Sequence, residues 1–185
     1  MDLQKFGIKL FLNVDNDFNS RDFIPVFHNW IQGKIVEDHL LIDVADYSHV
    51  PDGPGVMLVA HEGCFSLDQE NYQPGLMYMR KTTIDGSFKK RFIRVLSDTV
   101  QAAKRLRANN INKEINFINN SFRFIANDRR IAENTLENQN LYQHEIQNVL
   151  QEAYSVGNIE YEDASNEHER LAFTVNFNTD NNILE

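Results

Sequence analysis

A single cysteine, Cys64, in 185 residues excludes an internal disulfide framework and any multi-cysteine zinc site. No run of roughly 18 apolar residues occurs, so the sequence offers no candidate for a transmembrane helix. The opening MDLQKFGIKLFLNV reads as a strand and lacks the apolar stretch and small-residue cleavage site of a signal peptide. Cations are in deficit: 18 Lys and Arg face 27 Asp and Glu, and the formal net charge of −9 argues against general nucleic-acid binding. Familiar motif spacings are missing too. There is no HExxH, no H-x-H pair and no EF-hand pattern, and Pro51–Gly55 matches neither GxxxxGKS/T nor GxGxxG. These residues call for no metal and no cofactor.

What is present is a globular chain, 42% hydrophobic and 11% aromatic. A chain a little over 150 residues long buries about 70% of its unfolded surface, enough for a real core. The expectation is one α+β domain over 1–177, followed by a polar tail at 178–185.

Hydrophobic periodicity predicts strands at Phe6–Val14, Leu40–Tyr47, Gly55–Glu62, Gly75–Ile84, Phe117–Ala126, Ile159–Glu162 and Arg170–Phe177. Helices are expected from Ser20 or Asp22 to about Gln32, over Phe88–Leu106, and over Glu133–Ala153 with Gly157 as the stop. The first carries Ile24, Phe27, His28 and Ile31 as its stripe, which reads His28 as a core histidine. The second buries Phe88, Phe92, Val95, Leu96, Thr99, Ala103 and Leu106; the third, Tyr142, Ile146, Val149, Leu150 and Ala153. The order βαβββαβαββ implies a mixed, mostly antiparallel sheet with three helices packed mainly on one face. Phe6–Glu62 and Phe117–Phe177 read as two similar βαββ halves, each with an Asn-Asp pair (Asn16-Asp17, Asn127-Asp128) before its helix. Internal duplication and a common way of building an α+β layer both account for this.

Most candidate chemistry falls in His39–Asp68, where two apolar runs flank a Pro/Gly loop. Antiparallel pairing of those runs in one register sets Asp43 opposite Val59 and Leu41 opposite His61. Asp43 is then a diagonal neighbour of His61, and a carboxylate beside an imidazole is the core of many general-base sites. A one-residue slip brings Glu62 to that face instead. Asp43, His61 and Glu62 are therefore the catalytic candidates of a small hydrolase or isomerase. Cys64 lacks any visible partner that would lower its pKa and reads as a small inert hydrophobe.

Charge is unevenly spread. Arg80–Arg107 holds nine basic residues against Asp85 and Asp98, a local +7, which leaves −16 elsewhere. Lys89, Lys90, Arg91 and Arg94 crowd a helix N-terminus, where positive charge opposes the dipole; Lys104, Arg105 and Arg107 sit near its C-terminus. These seven are expected to meet acids of the same chain, of a second copy, of an acidic protein or of a small anionic ligand. The leading functional expectation is a cytoplasmic, bacterial-type binding module that homodimerises, with its sheet or basic helix as contact surface. A structural part of a larger assembly is a further alternative. No membrane partner is expected, and nucleic acid is disfavoured. The binding-module reading predicts that dimerisation or partner binding weakens with salt.

Overall fold

In the computed structural model, residues 2–13, 18–109, 115–162, 165 and 168–178 are described. Eight strands form one sheet: β1 (Phe6–Asn13), β2 (Leu41–Tyr47), β3 (Gly55–Ala60), β4 (Gly63–Asp68), β5 (Gly75–Arg80), β6 (Asn116–Ala126), β7 (Ile159–Glu162) and β8 (Ala172–Phe177). Three helices join them: α1 (Ile24–Gly33), α2 (Phe88–Ala108) and α3 (Leu136–Tyr154). The α+β expectation holds, with two corrections. Every pairing is antiparallel, in the order β2-β3-β4-β5-β1-β6-β8-β7. And β4 is an additional strand: GCFSLD has weak strand propensity, and neighbours on both sides hold it in the ladder.

Alternation along the strands decides where the helices go. Leu58, Phe65, Tyr78, Ile8, Phe124 and Phe173 are successive partners across six strands and share one face. That face and all three helices contribute to a single core. The described helices therefore all lie on one face, and none of them covers the other, called the uncovered face below.

Each half is a strand, a helix and a meander whose last strand returns beside the first: β5 beside β1, β8 beside β6. The first meander has four strands and the second two, so the halves are not the matched βαββ units expected. The Asn16-Asp17 pair and 179–185 of the expected tail lie outside the described residues.

Helix starts follow side-chain caps. Ser87 accepts from the Lys90 amide and Thr135 from the Asn138 amide. The stripe expected for α2 is buried as expected. On α1 the buried residues are Val26, Phe27 and Trp30, while His28 is exposed. A 3₁₀ turn at Ser20–Phe23 precedes the helix and puts Phe23, Val26, Phe27 and Trp30 at helical spacing on the core side. Helix α3 ends one turn earlier than Gly157, at Ser155 in a left-handed conformation, and Ala153 is exposed.

Phe124 is the ring on which the two halves close. It meets Phe6 of β1, Phe88 of α2, Tyr142 of α3 and Phe173 of β8 at centroid distances of 5.6, 6.4, 5.9 and 5.3 Å. Truncating Phe124→Ala is expected to cost about 3–5 kcal/mol of unfolding free energy. Urea denaturation reads this directly, and a loss below about 1 kcal/mol would show that the halves do not share one core.

Candidate functional site

The β2–β3 register sets Asp43 opposite Val59, but Leu41 pairs with Ala60 rather than His61. A bulge at Ile42 shifts the ladder, and β3 ends at Ala60. His61 and Glu62 form the two-residue turn into β4, with the His61 amide donating to the Leu40 carbonyl at 2.9 Å. Asp43 is exposed and accepts from the Val44 amide at 2.8 Å. Among the described residues no hydrogen bond or ion pair joins Asp43 to His61. Glu62 accepts from the Leu40 amide at 2.8 Å, and its carbonyl takes the amides of Lys81 and Thr82 at 2.8 and 3.2 Å. Partial burial pushes its carboxyl up, but the amides of Leu40 and of Glu62 itself outweigh it and hold the pKa below the usual value.

The basic helix is answered largely from inside the chain. Lys89 pairs with Glu152 of α3. Arg94 pairs with Asp98 at 3.0 Å and with Asp38 at 3.2 Å; Arg105 reaches Glu37 at 4.0 Å. Arg91 is buried with its guanidinium on the Gly86 carbonyl, and Lys104 is half-buried. Lys90 and Arg107 are exposed.

The histidine that the fold does engage is His39, whose side chain is fully buried. Its Nδ1 lies 2.9 Å from the Glu37 carbonyl, which can only accept, so Nδ1 carries the proton. Nε2 is then the acceptor for the Tyr78 hydroxyl at 2.7 Å, and that oxygen accepts from Arg80 Nη1 at 3.1 Å. Asp98 stands 3.9 Å from Nε2. Burial raises the Asp98 carboxyl despite the hydrogen bonds and charge of Arg94. Burial also pushes Tyr78 up to about 12, against the pull of Arg80. With both nitrogens engaged and the ring packed on Phe65 and Tyr78, this cluster ties the segment before β2 to β4 and β5. It offers no free base to a ligand.

The uncovered sheet face is where side chains meet solvent without a helical layer. Under β2–β5 it carries Ala45, Met57, Val59, Cys64, Met77 and Met79, all half-buried. Leu40, Ile42, Tyr47 and Val50 border it, 65, 57, 44 and 42% exposed. Across β1, β6 and β8 the same face turns polar, with Lys9, Arg123 and Thr174 as successive partners.

Lys9 is the unexpected residue on this face, for it is 1% exposed and paired with the equally buried Asp68. Gly75 makes the pairing possible. Its strand lies between β1 and β4, and a Cβ there would stand 2.6 Å from Lys9 Cε and 2.7 Å from the Leu10 carbonyl oxygen. The lysine stem therefore lies across the glycine to reach the carboxylate. Burial raises the Asp68 carboxyl even against Lys9, and its Oδ2 is buried with no donor from the described residues. The 69–74 loop leans over this pair: Glu70 shares a cleft with Arg123 and Ile125, and Tyr72 one with Phe11 and Thr174. Nothing in the alternating pattern of GIKLFL marks Lys9 as buried; Gly75, diagonal to it on β5, is the only sequence signal.

No protein-family model matches the chain, and no curated protein matches its sequence.

Two measurements test these clusters. Asp68→Ala leaves a buried ammonium alone and is expected to cost about 3–5 kcal/mol, whereas Lys9→Met with Asp68→Leu is expected to be neutral or stabilising by about 1–4 kcal/mol. Because the Asp68 pKa is raised on folding, its contribution is full below the ordinary carboxylate range and is lost as pH rises through the folded value. Denaturant midpoints across that range should show this loss in the native protein and not in the double variant. In alkaline titration followed by phenolate absorbance, Tyr78 and Tyr161 are expected to ionise late, at about 12. Tyr78→Phe is expected to remove half of that late phase; an unchanged late phase places the Tyr78 hydroxyl in contact with solvent.

Proposed function

We propose that this chain is a cytoplasmic, bacterial-type binding module that works as a homodimer, with the uncovered sheet face as its contact surface. The observation that carries the reading is the methionine-bearing half of that face, which no helix covers. Met57, Met77 and Met79 are flexible and polarizable, suited to packing against a partner without a fixed mould. Two-fold symmetry favours this face over the basic helix as the self-contact. An isologous interface sets a patch against itself, and an apolar patch complements itself where a cationic one repels itself. The four strands β2–β5, about 4.8 Å apart and about six residues long, span roughly 20 by 20 Å. That is on the order of 400 Å² per partner, the size of a small, reversible interface. No described helix is long and apolar enough to cross a membrane, which fits a partner other than the bilayer.

Sedimentation equilibrium tests the proposal. The native chain is expected to dimerise with little dependence on salt, since the cations Lys89, Arg94 and Arg105 are already paired. Met57→Glu with Val59→Glu should yield folded monomers, and Lys90→Glu with Arg107→Glu should leave the dimer unchanged. A dimer weakened by salt and by the helix substitutions would move the contact to α2, and a native monomer at high concentration would overturn the homodimer.

A further inference from the structure

A cleft of about 480 Å³ lies on the polar half of the uncovered face, over β1, β6 and β8. A bulge shapes it. Between the Leu10–Phe122 and Leu12–Phe117 pairs, the single residue Phe11 of β1 faces residues 118–121 of β6. Such a bulge re-aims side chains, and here Ile118, Asn120 and Ser121 line the cleft together with Phe11. Tyr72 stands at the rim, 97% exposed, with φ 56° in the left-handed region that a tyrosine rarely adopts. The loop that presents it is fixed at several points. The Tyr72 amide donates to the Gln69 carbonyl at 3.0 Å, the Leu12 amide to the Pro74 carbonyl at 2.9 Å, and the Glu70 amide to Asp68 at 3.2 Å. A strained turn that hands an aromatic ring wholly to solvent adds nothing to the core, and contact with a ligand accounts for it. We propose that this cleft binds a neutral oligosaccharide, with one sugar ring stacked on Tyr72 and its hydroxyls on the amides beside it.

The polar lining is of the kind that reads hydroxyl groups. Asn13, Gln73, Asn120 and Asn176 supply side-chain amides, each both donor and acceptor, as a sugar hydroxyl is. Among the described residues, the side chains of Asn13, Gln73 and Asn120 have no hydrogen-bond partner. Asn176 is held, its Oδ1 accepting from the Ser121 hydroxyl at 2.6 Å, which leaves its amide hydrogens to a ligand. The carbon–hydrogen face of a sugar ring is apolar and lies flat on an aromatic ring, while the hydroxyls point outward to polar neighbours. Tyr72 and Pro74 also line a second cleft, of about 500 Å³, with Ser48 and Gln69. The tyrosine therefore stands between two clefts, and a chain of sugars reaches both. An extended peptide docks by adding a strand at a sheet edge, whereas β1, β6 and β8 each have a neighbour on both sides. An anionic ligand would meet Glu162 in the cleft and the field of a molecule with a net charge of −9.

Saturation-transfer NMR and calorimetric titration of the full chain with maltotriose, cellotriose and triacetylchitotriose test the assignment. At least one of the three is expected to bind at a single saturable site, with transfer strongest to the ring protons that lie on Tyr72. Tyr72→Ala should lower that affinity about tenfold, and Tyr72→Phe, which keeps the ring, should lose far less. Gln73→Ala with Asn120→Ala should also cost about tenfold, since each removes a hydrogen bond to a hydroxyl. All three side chains are exposed, and thermal unfolding confirms that the variants are folded. No saturable binding of any of the three at millimolar concentration, binding that Tyr72→Ala leaves unchanged, or equal losses for Tyr72→Ala and Tyr72→Phe each overturns the site. The site does not rest on the dimer: sedimentation in the same buffers reports that separately, and a monomer that binds the sugar leaves this inference standing.

Discussion

The fold depends on the alternation of side chains along β1, the strand at which its two halves join. Phe6, Ile8, Leu10 and Leu12 all enter the core with the helices, while Gly7, Lys9 and Phe11 take the other face. Seven of its eight residues are buried, so this strand is enclosed on both sides even though helices lie on only one. A slip of one residue would drive Lys9 under α2, away from Asp68, and take Phe6 and Ile8 out of the core they share with the helices. Register at β1 thus fixes which face of the sheet is left for function.

Enclosing β1 on its uncovered side creates the polar problem that Lys9 and Asp68 solve together. An ammonium in that position demands a counter-charge, and Gly75 is what lets it reach one diagonally across a strand. Desolvation of two ions consumes much of what their attraction returns. The pair is therefore weak evidence for stability and better evidence for specificity, since it ties β1 to β4 across β5 in one register only.

How much of this was legible follows from the range of the interactions. Helix α2 was readable because its caps and its period are local, and its buried face is the one expected. Helix α1 is apolar around most of its circumference, so Ile24, Phe27 and Ile31 competed with Phe23, Val26, Phe27 and Trp30, and only the packing chose. Strand β4 was hidden because its ladder is supplied by β3 and β5, not by its own residues. The polar clusters were beyond local reading altogether. The expected pair, Asp43 and His61, came from one hairpin; the contacts the fold makes join His39 to Tyr78 and Lys9 to Asp68, far apart in the chain. Charge bookkeeping did better, since the excess on Arg80–Arg107 is met within the chain for Lys89, Arg94 and Arg105.

That internal neutralisation bears on where recognition can occur. An ion pair already satisfied on a partly exposed surface has little left to offer a partner, since the partner must displace one carboxylate to supply another. Helix α2 also buries ten of its 21 residues, and the pairs of Arg94 with Asp38 and of Arg105 with Glu37 fasten its flank to the segment before β2. A helix so fully engaged is a clamp between the halves rather than a contact surface. What the described helices leave without a layer lies on the other side of the sheet, in the half-buried apolar side chains of β2–β5. Apolar area selects a surface like itself, so the demand for a partner sits on that half of the sheet, set apart by β1 from the polar half.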